Sequence, residues 1–366
     1  MKKYLTSLLL LSCFLNTSIL ADDRIPVKIG VITPLTTAQA YNGETIKRTA
    51  ELTREFILDK STKYNYSFSF EDGKCGDGSA AATAAQRFIN VDGIRFIVVA
   101  CSGSTIQAAP IAEKYKTLLI AVLSSHKDIK HLGDYVFRTY LDVEKASRKL
   151  AGVIKSDGNK RVAVLTEDNT FTIGISDIIE EEIGGIKTLS DNFPFDSTDF
   201  RSILMRVKAS KPDALYLSMA SPTSAANMMN QIHQLKIPAK IYMFHMPDLN
   251  DFIPLVNNNA DGLKYLGTPK LSEGSPEYQR ITSEYIKRYD EGPSFDLVMR
   301  TTFDAIMAIY DGIEASGPDA EKVKDFLYTY KTQGALGPVA FDKNGDVKDL
   351  DYALKEIKGE KKVFLE

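Results

Sequence analysis

The chain has 366 residues, 44% of them hydrophobic and 25% charged, with a formal net charge of −3. That length can bury the cores of two domains. The near-neutral balance, with no basic block, argues against nucleic acid as a partner.

In chain order, the first feature is the segment MKKYLTSLLLLSCFLNTSILADD. Two lysines, an apolar run and Ile19-Leu20-Ala21 before two aspartates read as a secretory signal peptide over residues 1–21, cleaved after Ala21. Losing Lys2 and Lys3 lowers the mature charge to about −5. Cys13 in LLSC offers the competing reading of a lipid anchor. The residues that follow it, FLNTSIL, stay apolar where an anchored chain turns polar. No later segment approaches the ~20 apolar residues of a membrane span. A soluble, exported chain is therefore expected.

From Val27 onward, short apolar strands alternate with helical patterns. VKIGVITP is a strand, and NGETIKRTAELTREFILDK a helix with Asn42 as its N-cap. YSFSF, IRFIVVA and LLIAVL are further strands. DGSAAATAAQRFI is a helix capped by Asp77, and another follows CSGST. Pro110 fits best in a first turn, which argues for a start after Ser104. The layout then repeats: KRVAVLTEDN, a helix over about 173–184, IKTLSDN, a helix from about Thr198, DALYLSMA, a helix from Pro222, and KIYMFHM. Such alternation means parallel βαβ units with both sheet faces covered. The last third carries long helices, and then Asn344-Gly345, read as a hairpin turn between VAF and LDYALKEI.

Cleavage after Ala21 leaves two cysteines, Cys75 and Cys101. In an oxidising compartment they pair, closing a loop of about 27 residues worth roughly 3–4 kcal/mol, or they are two unrelated buried thiols. Cys101 opens CSGST, where a strand hands over to a helix. Ligands of open parallel sheets sit beyond such strand ends. Small residues at a helix N-terminus let an anion reach unpaired N–H groups, and Ser and Thr add hydroxyl donors. The alternative is that these residues only cap the helix.

Three segments carry a resemblance over nearly the whole mature chain: VKIGVITPLT…YNG, FEDGKCGDGSAAATAAQRFINVDGIRFIVVACSGST, and GPVAFDKNGD. The sequence resembles the periplasmic branched-chain amino acid-binding proteins, the leucine/isoleucine/valine receptors of ABC importers. The resemblance implies the type I periplasmic binding protein fold: α/β, two doubly wound parallel-sheet lobes joined by three crossovers, closing by a hinge. It implies lobe 1 over 22–141 and 268–338, lobe 2 over 142–267 and 339–366, and a Cys75–Cys101 bond. It also implies that Ser102 holds a ligand carboxylate, and that Ser125 and the Leu123 carbonyl meet an ammonium. Tyr41 and Phe171 would line the cleft from opposite lobes. Gly103, Ser104, Thr105, Ser124 and Ala220 complete the expected lining. Where the family places an acid for the ammonium, this chain has Met246, with Asp248 two residues later.

The expected role is a monomeric solute receptor that delivers a small carboxylate, an amino acid foremost, to a membrane permease. If Asp248 does not reach the ammonium, amides, urea and aliphatic or aromatic carboxylates become the alternatives. A sensor role for a chemoreceptor or kinase is another. His126, His131, His233 and His245 show no metal-ligand spacing; His126 and His245 fall in expected cleft loops, where the readings are a solvated loop histidine, the commoner case, or ligand contact. DKNGD lacks the Glu of a calcium loop. There is no G-x-G-x-x-G and no G-x-S-x-G elbow. Neither catalysis, metal nor cofactor is expected.

Overall fold

The computed structural model describes residues 23–75, 78–249, 252–257 and 259–365. The leader with Cys13 and the Asp77 cap lie outside these residues. Strands β1 (Ile25–Thr33), β2 (Tyr64–Asp72), β3 (Phe96–Ala100), β4 (Leu118–Val122) and β5 (Val136–Arg138) form a parallel sheet in the order β2-β1-β3-β4-β5. Helices α1 (Ala40–Lys60), α2 (Gly78–Asn90) and α3 (Ser102–Lys114) connect its strands. Alternation sets the two faces. Val98 and Ala100 join the cluster shared with α1, whereas Ile97 and Val99 pack against Ala81, Ala85 and Ala108 of α2 and α3.

The chain then crosses into α4 (Val143–Ser156), β6 (Val162–Glu167), α5 (Thr170–Ile183), β7 (Lys187–Phe193), α6 (Arg201–Ser210), β8 (Ala214–Ser218), α7 (Pro222–Gln234), β9 (Lys240–Phe244), the short α8 (Phe252–Leu255) and β10 (Lys264–Gly267). It returns through α9 (Pro276–Tyr289), α10 (Asp296–Ser316) and α11 (Ala320–Leu327), which pack on α1, β3 and β4 of the first sheet. A hairpin of β11 (Lys331–Gln333) and β12 (Pro338–Ala340) follows. A third crossing leads to β13 (Ala353–Lys358) and β14 (Lys361–Phe364). The second sheet has seven strands, ordered β14-β13-β10-β9-β8-β6-β7, with β13 and β14 antiparallel at its edge. The architecture is thus two doubly wound lobes joined by three crossovers, with an antiparallel edge on the second sheet.

Several local expectations need correction. Helix α1 starts at Ala40 with Gln39 at its cap. Asn42 lies inside the helix and donates Nδ2 to Gln39 Oε1 at 2.6 Å. Helix α3 starts directly at Ser102 and runs through Pro110. The Asn344-Gly345 turn forms, with Asp342 Oδ1 accepting from Asn344 N and Asp346 N. Its arms meet in a single bridge, Phe341 to Val347, because VAF pairs with β11 and the later strand pairs with β10 and β14. Gly345 has φ of +78°, and a methyl there would overlap the Val136 carbonyl. Glycine is thus required where this turn presses on β5.

Behind the strand ends, Arg138 is wholly buried. Its Nη1 donates to the His126 carbonyl at 3.0 Å, and its Nη2 pairs with Asp142 at 3.1 Å and Asp346 at 2.6 Å. One guanidinium therefore joins the loop after β4 to the first and third crossovers. The buried cation is thus paired with two half-buried carboxylates, which is the condition for burying charge.

Candidate functional site

Both sheets turn the carboxyl ends of their parallel strands toward a common cleft. The first lobe supplies Gln39 after β1, Ser102 and Gly103 after β3, and Leu123 and Ser125 after β4. The second supplies Asn169 and Phe171 after β6, Phe195 after β7, Ala220 after β8 and His245 after β9. Tyr140, on the first crossover, also lines it. The cleft encloses about 480 Å³ of atom-free space, its solvent-open mouth included.

The β3–α3 junction turns the start of a helix toward the cleft. Cys75 and Cys101 are bonded, with Cα atoms 5.4 Å apart, which ties the loop after β2 to the start of α3. Cys101 sits at φ +75° and ψ 136°, a conformation few non-glycine residues adopt. The Thr105 N–H and hydroxyl both donate to its carbonyl, at 2.9 and 3.0 Å. The hydroxyl of Ser102 accepts from His126 N at 3.3 Å, which leaves its own hydrogen to donate into the cleft. Among the described residues, the backbone amides of Ser102, Gly103 and Ser104 have no acceptor, as expected for a helix N-terminus.

The other expected hydroxyls are occupied inside the protein. Ser104 donates to the Gly73 carbonyl at 3.0 Å, and the Thr105 and Ser124 hydroxyls bond each other at 2.8 Å. Tyr41 lies outside the cleft, in a neighbouring hollow with Pro222, Thr223 and Leu249. Its hydroxyl is buried beside Gln39 and Asn42, and burial pushes its pKa above the usual tyrosine range.

Met246 is packed into the core, 1% exposed. Asp248 is also buried, and its carboxylate is fully engaged. It accepts from Tyr265 Oη at 2.9 Å and from Thr268 N, and it pairs with Lys355 Nζ at 2.9 Å. It does not line the cleft. Another buried carboxylate, Glu167, accepts from Ala220 N, Ser221 N and Asp196 N at 2.7, 2.8 and 2.9 Å. It is therefore spent on holding the Ala220 loop. Among the described residues, no Asp or Glu lines the cleft.

His245 occupies the wall instead. Only 7% exposed, it stacks on Phe295 of the first lobe with centroids 5.6 Å apart and rings within 5° of parallel. Phe171 approaches at 5.3 Å. Burial pushes its pKa down to about 4, so the ring is neutral at pH 7. Of the two readings for this histidine, the solvated one is overturned by the opposite lobe, which covers it. Sequence reasoning also passed over Gln39, Tyr140, Asn169 and Phe195 as lining residues. Of these, Asn169 had a readable signal as the helix cap in EDNT.

The lobes touch across the cleft. Gln39 Nε2 donates to the Ala220 carbonyl. His126 lies so close over α5 that a methyl on Gly174 would overlap its ring, and a methyl on Gly103 would meet Thr170 Oγ1 at 3.0 Å. The conformation is closed.

A family model described as periplasmic binding protein matches residues 26–362. The leucine-, isoleucine-, valine-, threonine- and alanine-binding protein of Pseudomonas aeruginosa is 24% identical, over 94% of this chain and 92% of that one. Among solved structures, a leucine binding protein from Thermotoga maritima has a TM-score of 0.78 at 23% identity, covering 93% of this chain and 98% of that one. A solute binding protein of an ABC transporter from R. palustris, in complex with benzoate, has a TM-score of 0.80 at 18% identity over 93% and 95% of the two chains. At these identities the structural likeness speaks for the fold.

Proposed function

The chain belongs to the periplasmic binding protein family, and on that premise we propose that it is the solute receptor of an ABC importer for a small carboxylate without an amino group. The observation that carries this reading is the lining of the cleft. One wall offers an anion the Ser102 hydroxyl and the start of α3. The opposite wall is neutral and aromatic, with His245 and Phe171, while Asp248 is neutralised by Lys355. Burying an ammonium there without a counter-charge would be costly. An apolar or aromatic body fits between Tyr140, Phe171, Phe195 and His245. The benzoate held by a protein of the same fold supports an aromatic carboxylate.

In this reading Ser102 holds the carboxylate, Ser125 and the Leu123 carbonyl line the first-lobe wall, and the protein works as a periplasmic monomer without catalysis. The moving units are residues 22–141 with 268–338, and residues 142–267 with 339–366, closing by a hinge before docking on the permease. An amino acid is the second reading, favoured by the similarity to the Pseudomonas relative.

Calorimetric titration of unfolded and refolded protein, stripped of carried ligand, with benzoate and with leucine tests the two. Benzoate binding with no response to leucine supports the carboxylate reading. Leucine binding without benzoate binding replaces it with the amino acid.

A further inference from the structure

Helix α5 carries a buried glycine, Gly174, in its second turn. Glycine is a weak helix former, and its backbone here is ordinary helix, so nothing within α5 calls for it. The reason lies across the cleft. Thr170 and Gly174 are four residues apart and share one face of the helix. That face meets the start of α3 and the loop after β4.

The fit there is reciprocal. His126 of the first lobe fills the hollow at Gly174, and the three atoms nearest to a methyl at that position all belong to its ring. Thr170 of the second lobe fills the hollow at Gly103. A methyl on Gly103 would lie 3.0 Å from Thr170 Oγ1 and 3.5 Å from its Cβ. Each lobe thus offers the other one side chain and one bare stretch of backbone.

The histidine is held firmly in this position. Its Nδ1 accepts from Asp128 N at 3.2 Å, its N–H donates to Ser102 Oγ at 3.3 Å, and its carbonyl accepts from Arg138 Nη1 at 3.0 Å. A ring pushed aside would give up the first of these bonds.

We propose that Gly174 and His126 form the seat that sets how far the two lobes close, with Gly174 as a positioning residue. A side chain at 174 stops the lobes short. The proposal holds for any solute. The Ser102 bond ties the seat to the helix start that faces the cleft, so closure depth and the site share a part.

The test traps closure in ligand-free protein, dialysed exhaustively. Gly103→Cys with Thr170→Cys sets two Cβ atoms 3.5 Å apart in the closed form, within the span of a disulfide. The rate of cross-linking by diamide reports how readily the lobes seat, and peptide mapping separates the new bridge from Cys75–Cys101. Adding Gly174→Ala should slow the rate about tenfold or more. Adding His126→Ala as well should restore it. The urea midpoint of Gly174→Ala should not fall below that of wild type, because alanine is the better helix former. Equal rates with and without Gly174→Ala overturn the proposal. So does a slowing that His126→Ala does not relieve, which marks a defect of α5 rather than of the seat. A Gly103→Cys, Thr170→Cys protein that never cross-links overturns it too, since the lobes then do not meet along this face.

Discussion

Arg138 grips Asp346 through two parallel bonds, Nε to Oδ1 at 2.8 Å and Nη2 to Oδ2 at 2.6 Å. A strand of the first lobe is thereby fastened to the last crossover at the level of the cleft loops. Asp346→Ala leaves a buried guanidinium with Asp142 as its one remaining anionic partner. It should destabilise the protein by about 3–5 kcal/mol, measured by urea unfolding. Arg138→Met combined with Asp346→Leu should cost less than Asp346→Ala alone, because neither charge is then stranded. A double variant that costs the sum of the singles would show that the pair does not act as a unit.

Ser102→Ala removes the one first-turn hydroxyl of α3 that is open to the cleft. Carboxylate affinity should fall about 10- to 100-fold, the worth of a hydrogen bond to a charged group, with little change in thermal stability. Ser104→Ala should do the reverse, because that hydroxyl anchors the Gly73 carbonyl. Calorimetry and thermal unfolding of the two variants separate the roles.

Acid should weaken the closed molecule. A solvated histidine titrates near 6.5, whereas burial holds His245 down to about 4 and lowers His126 as well. Between those values an open or unfolded chain takes up a proton that the closed one resists. The stability of the closed state is therefore full above about 6.5 and declines as pH falls toward 4. His245 faces Asp248, itself held by Lys355, and His126 faces Asp128, Lys127, Arg138 and Asp142. Asp304, pushed up to about 7 by burial, has the opposite sign, since its folded form holds the proton more tightly and loses that contribution as pH rises. The difference between wild type and His245→Phe removes that background. It should amount to about 1–2 kcal/mol at pH 5 relative to pH 7.5, read from unfolding at both pH values. A difference that does not vary with pH would count against a buried neutral His245.

Replacing Cys75 and Cys101 with serine opens a loop spanning a sequence separation of 26. Unfolding free energy should drop by about 3–4 kcal/mol. Ligand affinity should fall too, because Cys101 holds its left-handed backbone directly before Ser102. Calorimetry run well below the variant's melting temperature separates the local effect from global unfolding.

The layered fold was legible because buried parallel strands such as FIVVA read as continuous apolar runs, and helices with apolar stripes follow them. The cleft was legible only where strand ends meet helix starts, as at Ser102. Asp248 shows why the rest was not. Its partner Lys355 lies on β13, more than a hundred residues further on, and no local pattern announces that pairing. His245 is similar: a loop position reads as solvated, and only Phe295 from the other lobe makes it buried. The hydroxyls of Ser104, Thr105 and Ser124 share composition with Ser102. What separates them is the rotation of the first turn of α3 and the packing of the loop after β4 against it, which spacing alone does not report.

Strands β13 and β14 occupy one edge of the second sheet, although most of that sheet is made some hundred residues earlier. Helices α9 to α11 likewise cover a first sheet whose strands end at Arg138. A ribosome releasing this chain from the amino end therefore exposes two unfinished sheets in turn. The first waits with bare apolar strands for α10, and the second keeps an unpaired edge at β10 until residues 353–358 emerge. Neither lobe can complete itself as an early, independent unit, so folding must wait for the carboxyl end. Until then the nascent chain presents open strand edges to any neighbour able to pair with them.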